Sequence, residues 1–422
     1  MMDDDATPHP TAPNPAPTGT RRRDLLRGAI AAGIGAGAGL SAGLLASSAA
    51  EDDDAPHASG PDTSGTPATG RAASVAADGD QQAGIARPDT PQPHGLLLAL
   101  DLPDVPEPGA ADAAFRDRLR ELCAGLGRSI MTLTSADSAD TAGLLDGPGD
   151  LTVTVGLGPR VMAALDPQLP GAEPLPAFAG DDAVPATRAG GDLLIATYGS
   201  DPNDVHRAAH WLAEAVPDAT VRWSQRGFRA PGSGTVARNP LGFHDGVIVP
   251  RGDHELAEHV WIPDGPMAGG SICVVRRLRL DTTAFAAEPV EHQEAVIGRH
   301  RHDGSPLSGG GPSDEVDLLA KTPDGQYVTP VRSHVRAAHP ALTGSHLMLR
   351  RGYAFDDGVT DGTADAGLLF ICFQRDLRTF VQTQFRLDET DALTEYVTPT
   401  GSATFLILPG FSADRPLGAT LP

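Results

Sequence analysis

The pattern of hydrophobic and polar residues changes near residue 93, where short apolar runs begin to alternate with segments of helical periodicity. The predicted strands of the first half are 96–100, 151–156, 192–198 and 220–223, and the predicted helices are 114–126, 160–165 and 205–215. Apart from the short helix at 160–165, the order is strand, helix, strand, strand, helix, strand. That order is typical of a ferredoxin-like α+β unit with an antiparallel sheet.

The second half repeats this theme from about Asn239. Its predicted strands are 272–280, 368–373 and 403–408, and its predicted helices are 288–297 and 377–385. Between them, the segment from Gly298 to His346 has no clear periodicity, and insertions of this length usually carry function. We therefore predict two ferredoxin-like α+β domains with antiparallel sheets, an N-terminal one at 93–238 and a C-terminal one at 239–422.

The N-terminal residues resemble an export signal. Arg22 and Arg23 lie in a basic stretch, Leu25 and Leu26 follow, and a Gly/Ala-rich run leads to small residues that end at Ala50. This order is similar to a twin-arginine signal, with a retained transmembrane helix as the alternative. We predict a signal segment at 1–50 and a disordered linker at 51–92, where large apolar residues are scarce. Because twin-arginine export carries folded proteins, the signal also hints at a cofactor inserted before export.

Composition narrows the classes of partner and of metal site. The chain has 55 acidic against 32 basic residues and a net charge of -23, so its surface should repel a phosphate backbone, and we expect no nucleic-acid partner. The three cysteines, Cys123, Cys273 and Cys372, lack the close spacing of zinc or iron–sulfur sites. Cys273 and Cys372 lie in apolar runs and are interpreted as small buried residues, with one structural disulfide left open.

Three short motifs carry the candidate chemistry. Asp245 lies between glycines in the stretch 242–246, His334 lies in a Ser-His-Val-Arg stretch, and Arg350 opens an Arg-Arg-Gly-Tyr stretch. Each of these alone is typical of a turn, a loop or a strand end. Together, in this order, they resemble the dye-decolorising peroxidases over roughly residues 93 to 420. Further stretches that match this family are 222–228, 269–271, 275–277, 297–301 and 373–377.

The resemblance implies a fold of the dimeric α+β barrel type, with haem b (iron protoporphyrin IX) in the C-terminal unit. It implies that His334 is the proximal iron ligand, that Asp245 moves the peroxide proton, and that Arg350 stabilises the charge developing on the breaking O–O bond. Arg351 is expected to face away. The other implied cofactor contacts are Gly246, Val247, Ile248 and Arg301, with Arg299 as the alternative propionate partner.

By the same resemblance, the chain is expected to be a haem peroxidase that reduces hydrogen peroxide and oxidises dye-like or phenolic donors through a ferryl intermediate. We expect an acidic pH optimum for the peroxidase activity, because the pKa of an ordinary aspartate is about 4. The exported branch is similar to deferrochelatases, so iron release from haem stays open, as does haem carriage without catalysis. Expected partners are hydrogen peroxide, small organic electron donors and the twin-arginine export machinery. A homo-oligomer and iron-uptake partners are left open.

Other residues could compete for these roles. His339 follows His334 closely but precedes a proline, and we interpret it as a loop histidine. His300 and His302 flank Arg301 and are interpreted as solvent-facing rather than as a metal pair. The aromatic residues are interpreted as packing residues, with a radical relay to surface donors as the alternative; they are Tyr353, Tyr396, Trp211, Trp223 and Trp261.

Overall fold

The computed structural model describes residues 72–360 and 362–422. The predicted signal segment, and the part of the predicted linker before residue 72, lie outside the described residues. In the described part of the chain, no helix is both long and apolar enough to cross a membrane.

The described residues form twelve strands and nine α-helices, joined by loops and short 3₁₀ turns. The strands are β1 (His94–Asp101), β2 (Thr152–Leu157), β3 (Leu193–Gly199), β4 (Thr220–Phe228), β5 (Gly232–Ser233), β6 (Val236–Arg238), β7 (His244–Asp245), β8 (Ser271–Leu280), β9 (Leu349–Arg350), β10 (Tyr353–Thr360), β11 (Thr363–Gln374) and β12 (Val397–Ile407). The helices are α1 (Ala113–Thr134), α2 (Pro159–Leu165), α3 (Pro202–Glu214), α4 (Gly252–His259), α5 (Thr282–Ala287), α6 (Val290–Ile297), α7 (His334–Ala337), α8 (Pro340–Thr343) and α9 (Leu377–Thr390).

The long strands close into an antiparallel barrel. Hydrogen-bonded neighbours follow the order β10-β4-β1-β3-β2-β12-β8-β11, and β11 pairs with β10 to complete the ring. The two halves of the chain meet at two seams, where Leu406 pairs with Leu157 and Ala354 pairs with Phe228. The predicted ferredoxin-like α+β fold with antiparallel sheets is confirmed. The domain boundary at 238/239 stays a prediction; it falls between β6 and β7, which pair in a small separate sheet.

Alternation along the strands divides the core into an inner and an outer layer. On β1, Leu97 and Ala99 face the barrel interior, whereas Leu96, Leu98 and Leu100 belong to the core that the helices cover. Both sets are almost fully buried. Because both faces of such a strand are covered, its sequence is a continuous apolar run rather than an alternating one, which explains why β1 and β3 are easy to predict.

The strand β10 was missed by the sequence analysis. Only its first residues, Tyr353 to Phe355, are largely buried, and the rest of the strand is exposed. Backbone pairing with β11 holds this hairpin, so its outer part needs no apolar residues and leaves no periodic signal. Helices α1 and α9 also continue past their predicted ends, to Thr134 and Thr390.

The disordered linker predicted for 51–92 is wrong for residues 72–92. The side-chain amide of Gln82 donates to the Val155 carbonyl at 2.8 Å, and its oxygen accepts from the Val155 amide at 2.8 Å. Ile85 is buried, and Arg351 donates to its carbonyl at 2.7 Å. Hydrogen bonds from a few of its residues to distant parts of the chain order this segment. Amino-acid composition does not reveal such bonds.

The described cysteines, Cys123, Cys273 and Cys372, are free and buried. Burial is therefore confirmed for Cys273 and Cys372, and the alternative of a disulfide is wrong. Burial raises the pKa of Cys123 to about 12 and that of Cys372 further, because a thiolate is poorly solvated there. All three thiols stay protonated at neutral pH.

A buried arginine on the interior face of β8 offers a stability test. The guanidinium of Arg277, which is 0% exposed, pairs with Asp365 and Asp357 at 2.8 Å each and lies 3.9 Å from the ring centroid of Phe355. Arg277→Met should lower the free energy of unfolding by about 3–5 kcal/mol, because it leaves carboxylates without their partner. Urea denaturation measures this loss. Arg279→Met, two positions along the strand, is the control and should change it little.

Candidate active site

A cavity of about 440 Å³ lies against the outer face of the barrel in the C-terminal half of the chain. On β8 and β11 its wall is made by residues such as Leu278 and Phe370, which alternate with residues of the barrel interior. The other walls come from α9, the 239–248 loop and the long insertion. Most of the exposed surface of the cavity is apolar, and polar side chains, Asp245, His334 and Arg350 among them, also line it, which is typical of a site for an organic ligand or cofactor.

The turn around Asp245 brings its carboxylate to the cavity wall. Gly246 has a φ of +80°, and a Cβ there would lie 2.1 Å from the Thr235 carbonyl oxygen, so only glycine fits. The Gly246 amide then donates to Asp245 Oδ1 at 2.6 Å. The tight turn therefore fixes the rotamer of the carboxylate as well as the path of the chain.

Arg350 lies on β9 beside this carboxylate. Its Nη2 donates to Asp245 Oδ1 at 3.2 Å, and its Nη1 donates to the Ile248 carbonyl at 3.0 Å. Burial alone would raise the pKa of Asp245, but the charge of Arg350, the Gly246 amide and the Arg350 hydrogen bond outweigh it and lower that pKa. Asp245 is therefore held as a carboxylate, and no described residue hydrogen-bonds its Oδ2.

His334 lines the same cavity at the start of α7. Its Nδ1 lies 2.6 Å from Asp391 Oδ2, and Asp391 is buried at the end of α9. Burial alone would lower the pKa of His334, but the negative charge and hydrogen bond of Asp391, with a smaller effect of Asp245, raise it. No described residue hydrogen-bonds Nε2. The arrangement leaves one imidazole nitrogen fixed and the other available to a ligand.

Asp391 is a site residue that the sequence analysis missed. It caps the 3₁₀ turn after α9, where its Oδ1 accepts from the Leu393 amide at 2.9 Å, while its other oxygen holds His334. An Asp at a helix boundary is usually only a cap, so its sequence position gives no sign of the second contact. Only the folded chain brings it to a histidine 57 residues away.

The structure brings together most, but not all, of the predicted site residues. Those that line the cavity are Asp245, Gly246, Val247, Ile248, His334 and Arg350. Arg301 does not line it. The chain turns back at 301–303, and Arg301 lines a separate surface pocket with Arg238 and Glu294. The assignment of Arg301 as a cofactor contact therefore stays a prediction.

Arg299, the alternative to Arg301, lines the cavity, but most of its donors are already used. It is buried, and its guanidinium donates to the backbone carbonyls of Gly304, Pro312 and Asp314. Burial and the nearby charge of Arg350 lower its pKa. Arg299 thus holds the long insertion in place and adds positive charge to the cavity wall.

The competing histidines have other contacts. His339 Nδ1 accepts from the Ala341 amide at 3.1 Å and caps α8, at the cavity wall. His300 is half-exposed and pairs with Glu294 at 2.9 Å. In the described residues, no group of three or more His, Cys, Asp or Glu side chains could hold a metal ion.

The aromatic residues and Arg351 lie away from the cavity lining. Tyr353 stacks on Tyr198 in the barrel interior with ring centroids 5.7 Å apart, and Trp223 donates to the Gly190 carbonyl at 2.8 Å. Both are buried, as expected of packing residues. Arg351 faces the segment before β1 rather than the cavity, as the sequence analysis expected.

The cavity fits the haem expected from the sequence. Its apolar walls would accept a porphyrin face, and the partnerless Nε2 of His334 is the donor that haem iron requires. Asp245 and Arg350 line the same space and supply a carboxylate and a cation for chemistry beside the iron.

Comparison with known proteins points the same way. The model of the Dyp-type peroxidase N-terminal domain matches residues 82–229, and that of the C-terminal domain matches residues 236–412. The chain is 37% identical over 371 residues to the dye-decolorizing peroxidase of Thermobifida fusca (strain YX), covering 81% of this chain and 83% of that protein. It is 32% identical to the deferrochelatase of Escherichia coli (strain K12), covering 79% and 83%. Among solved structures, the DyP-type peroxidase from Cellulomonas bogoriensis aligns with a TM-score of 0.73 at 33% identity, covering 83% of this chain and 98% of that one.

Proposed function

Because this chain belongs to the Dyp-type peroxidase family and is a haem peroxidase, we propose that His334 holds the iron and that Asp245 and Arg350 perform the peroxide chemistry. One observation carries this assignment. A histidine with a free Nε2 and a carboxylate paired with an arginine line one apolar cavity.

His334 Nε2 would bind the iron, and apolar residues such as Val247, Ile248 and Leu278 would contact the porphyrin. When bound, haem supplies the electrons that reduce peroxide and accepts them back from organic donors. Asp391 Oδ2 accepts a hydrogen bond from the Nδ1–H group of His334, which keeps the lone pair on Nε2 and makes the imidazole a more basic ligand.

Asp245 moves the proton of the peroxide. Its Oδ1 is occupied by the Gly246 amide and Arg350, so Oδ2 is the oxygen that takes a proton from one peroxide oxygen and returns it to the other as the O–O bond breaks. The lowered pKa of Asp245 keeps this base ionised in acid. The expected acidic optimum thus has a physical basis in the pairing with Arg350.

Arg350 places positive charge beside the breaking bond. Its contact with the Ile248 carbonyl fixes the guanidinium, so little reorganisation is needed when negative charge develops on the leaving oxygen. The largely apolar surface of the cavity lowers the local dielectric constant, which strengthens this interaction.

Dye-like or phenolic molecules are the proposed electron donors. The similarity to proteins named deferrochelatase supports a second candidate, in which the same cavity releases iron from haem. Incubation with haem separates the two: recovery of intact protoporphyrin supports iron release, whereas peroxide-dependent oxidation of a phenol supports the peroxidase. A protein that binds haem but performs neither reaction would be a carrier.

We also propose that the protein is exported through the twin-arginine route. The proposal rests on Arg22 and Arg23 ahead of the Gly/Ala-rich run. Replacing both arginines with lysine should abolish export of the chain from its host, whereas the same change at Arg87, within the folded part, should not.

The catalytic assignment is tested by Arg350→Met in the haem-loaded protein. The second-order rate constant for hydrogen peroxide should fall by about 10²–10³-fold, because the charge that stabilises the breaking O–O bond is lost. Stopped-flow absorbance at the Soret band measures it. An unchanged rate constant, with haem content equal to that of the wild type, would contradict the role of Arg350.

A further inference from the structure

Arg229 follows the end of β4, at the seam where β4 meets β10 through the pair Phe228 and Ala354. We propose that Arg229 is a positioning residue that fixes the spacing of Asp245 and Arg350, an inference that rests on the function proposed above. It does not touch the peroxide. It acts through the backbone segments that carry the two reacting side chains.

The first set of contacts connects Arg229 to the turn that carries Asp245. Arg229 Nη2 donates to the Thr235 carbonyl, and that same carbonyl oxygen lies against Gly246 so closely that a Cβ there would be 2.1 Å away. Thr235 Oγ1 donates to the Gly246 carbonyl at 2.8 Å. Because the Gly246 amide holds Asp245 Oδ1 at 2.6 Å, a shift of Thr235 would be passed to the carboxylate.

The second set of contacts connects Arg229 to the segment that carries Arg350. Arg229 Nη1 donates to the Gly352 carbonyl at 3.1 Å, in the link between β9, which carries Arg350, and β10. Arg350 Nη2 then donates to Asp245 Oδ1 at 3.2 Å. The contacts form a closed ring that runs from Asp245 through Gly246, Thr235, Arg229 and the 350–352 segment back to Asp245.

The residue type suits this role. A guanidinium is planar and rigid, so two carbonyl oxygens bound to its two terminal nitrogens are held at a fixed separation, which a single ammonium on a flexible stem does not impose. The Arg229 amide also donates to the Pro93 carbonyl at 2.8 Å, which anchors the residue to the start of β1. Along the described part of this seam, one backbone pair joins β4 to β10 and Gln225 Nε2 donates to Asp357 Oδ1 at 3.3 Å across it; Arg229 adds a further connection at the end of β4.

Arg229→Met and Arg229→Lys test the inference in the haem-loaded protein. We expect both to lower the second-order rate constant for peroxide by about 10-fold or more, because a small misplacement of reacting groups is costly. Cyanide binding is the second readout, since hydrogen cyanide must also lose a proton to a distal base; its dissociation constant should rise. Haem content and the KM for a phenolic donor should not change.

Arg226→Met is the matched control, because Arg226 lies near the end of β4, three residues before Arg229, is exposed and contacts His206 Nδ1 at 3.0 Å instead. A wild-type rate constant in Arg229→Lys would overturn the inference by showing that charge alone matters. So would a loss of haem or of thermal stability that accounts for the whole effect in Arg229→Met. If Arg229→Met does not fold, Thr235→Val removes the next bond in the ring, and an unchanged rate constant there overturns the inference.

Failure of this inference can be told apart from failure of the proposed function. If Asp245→Asn reacts with peroxide as the wild type does, the proposed function fails whatever Arg229 does. If Asp245→Asn is slow while Arg229→Met and Thr235→Val are normal, only the positioning role fails.

Discussion

The His334→Ala variant should be purified without the Soret band that the wild type shows when haem is supplied. His334 Nε2 is the one imidazole nitrogen of this cavity that combines a free lone pair with a carboxylate-bound Nδ1. Loss of a partner outside the ligand shell usually costs 10–100-fold in metal affinity, so loss of the ligand itself should cost more than about 100-fold. Haem titration followed by absorbance measures the change.

His339→Asn is the matched control, because His339 also lines the cavity and asparagine can keep its capping contact to the Ala341 amide. That variant should bind haem as the wild type does. A full Soret band in His334→Ala, together with its loss in His339→Asn, would move the ligand to His339 and sink the assignment. Circular dichroism of both variants shows whether the fold is retained.

The parts of the fold that the sequence revealed are those in which local pattern and burial agree. β1, β3 and the first half of β8, at 272–275, are apolar runs because both of their faces are covered, and α3 shows its amphipathic pattern because one face packs on the sheet. β10 could not be predicted from the sequence, because backbone pairing alone holds its exposed half. The ordered structure of residues 72–92 could not be predicted, because it depends on a few hydrogen bonds to distant residues.

The site divides in a similar way. That Asp245, His334 and Arg350 lie at one site could be predicted, because their short motifs occur in the order of a known family, and all three line the same cavity. The contacts of Asp391 and Arg229 could not be predicted, because each is made with a segment far away in sequence, and the local context of each residue is ordinary, a helix boundary and a strand end. Sequence motifs mark groups that touch a ligand more readily than groups that hold them in place.

Arg301 differs from these residues, because its predicted contact with the cofactor is not matched by a place in the cavity lining. Arg299 and Arg301 are two residues apart, and on an extended chain both would point to the same side. The tight turn at 301–303 breaks that relation, so one arginine enters the cavity and the other reaches the surface pocket. The bonds of Arg299 to the carbonyls of the insertion fix its side chain at the cavity wall, a contact that a Gly-Arg-His-Arg stretch does not reveal.

Asp245→Asn should lower the second-order rate constant for peroxide by about 10²–10⁴-fold, the usual contribution of a positioned general base. The amide is nearly isosteric and can still accept from Gly246 and Arg350, so haem content should not change.

The wild-type rate should also depend on pH in a defined direction. The base works only when ionised, and Arg350, the Gly246 amide and, more weakly, His334 lower the pKa of Asp245, which burial alone would raise.

The rate constant of the wild type should therefore stay high as the pH falls and decline only when the pH passes below the usual range of an aspartate, about 3.9. The variant has no carboxyl group at this position, so its low rate should lack that decline. Asp253→Asn, on an exposed turn of α4, is the control and should keep the wild-type profile. An acid limb that survives unchanged in Asp245→Asn would show that another group takes the peroxide proton, and the cavity would then have to be assigned anew.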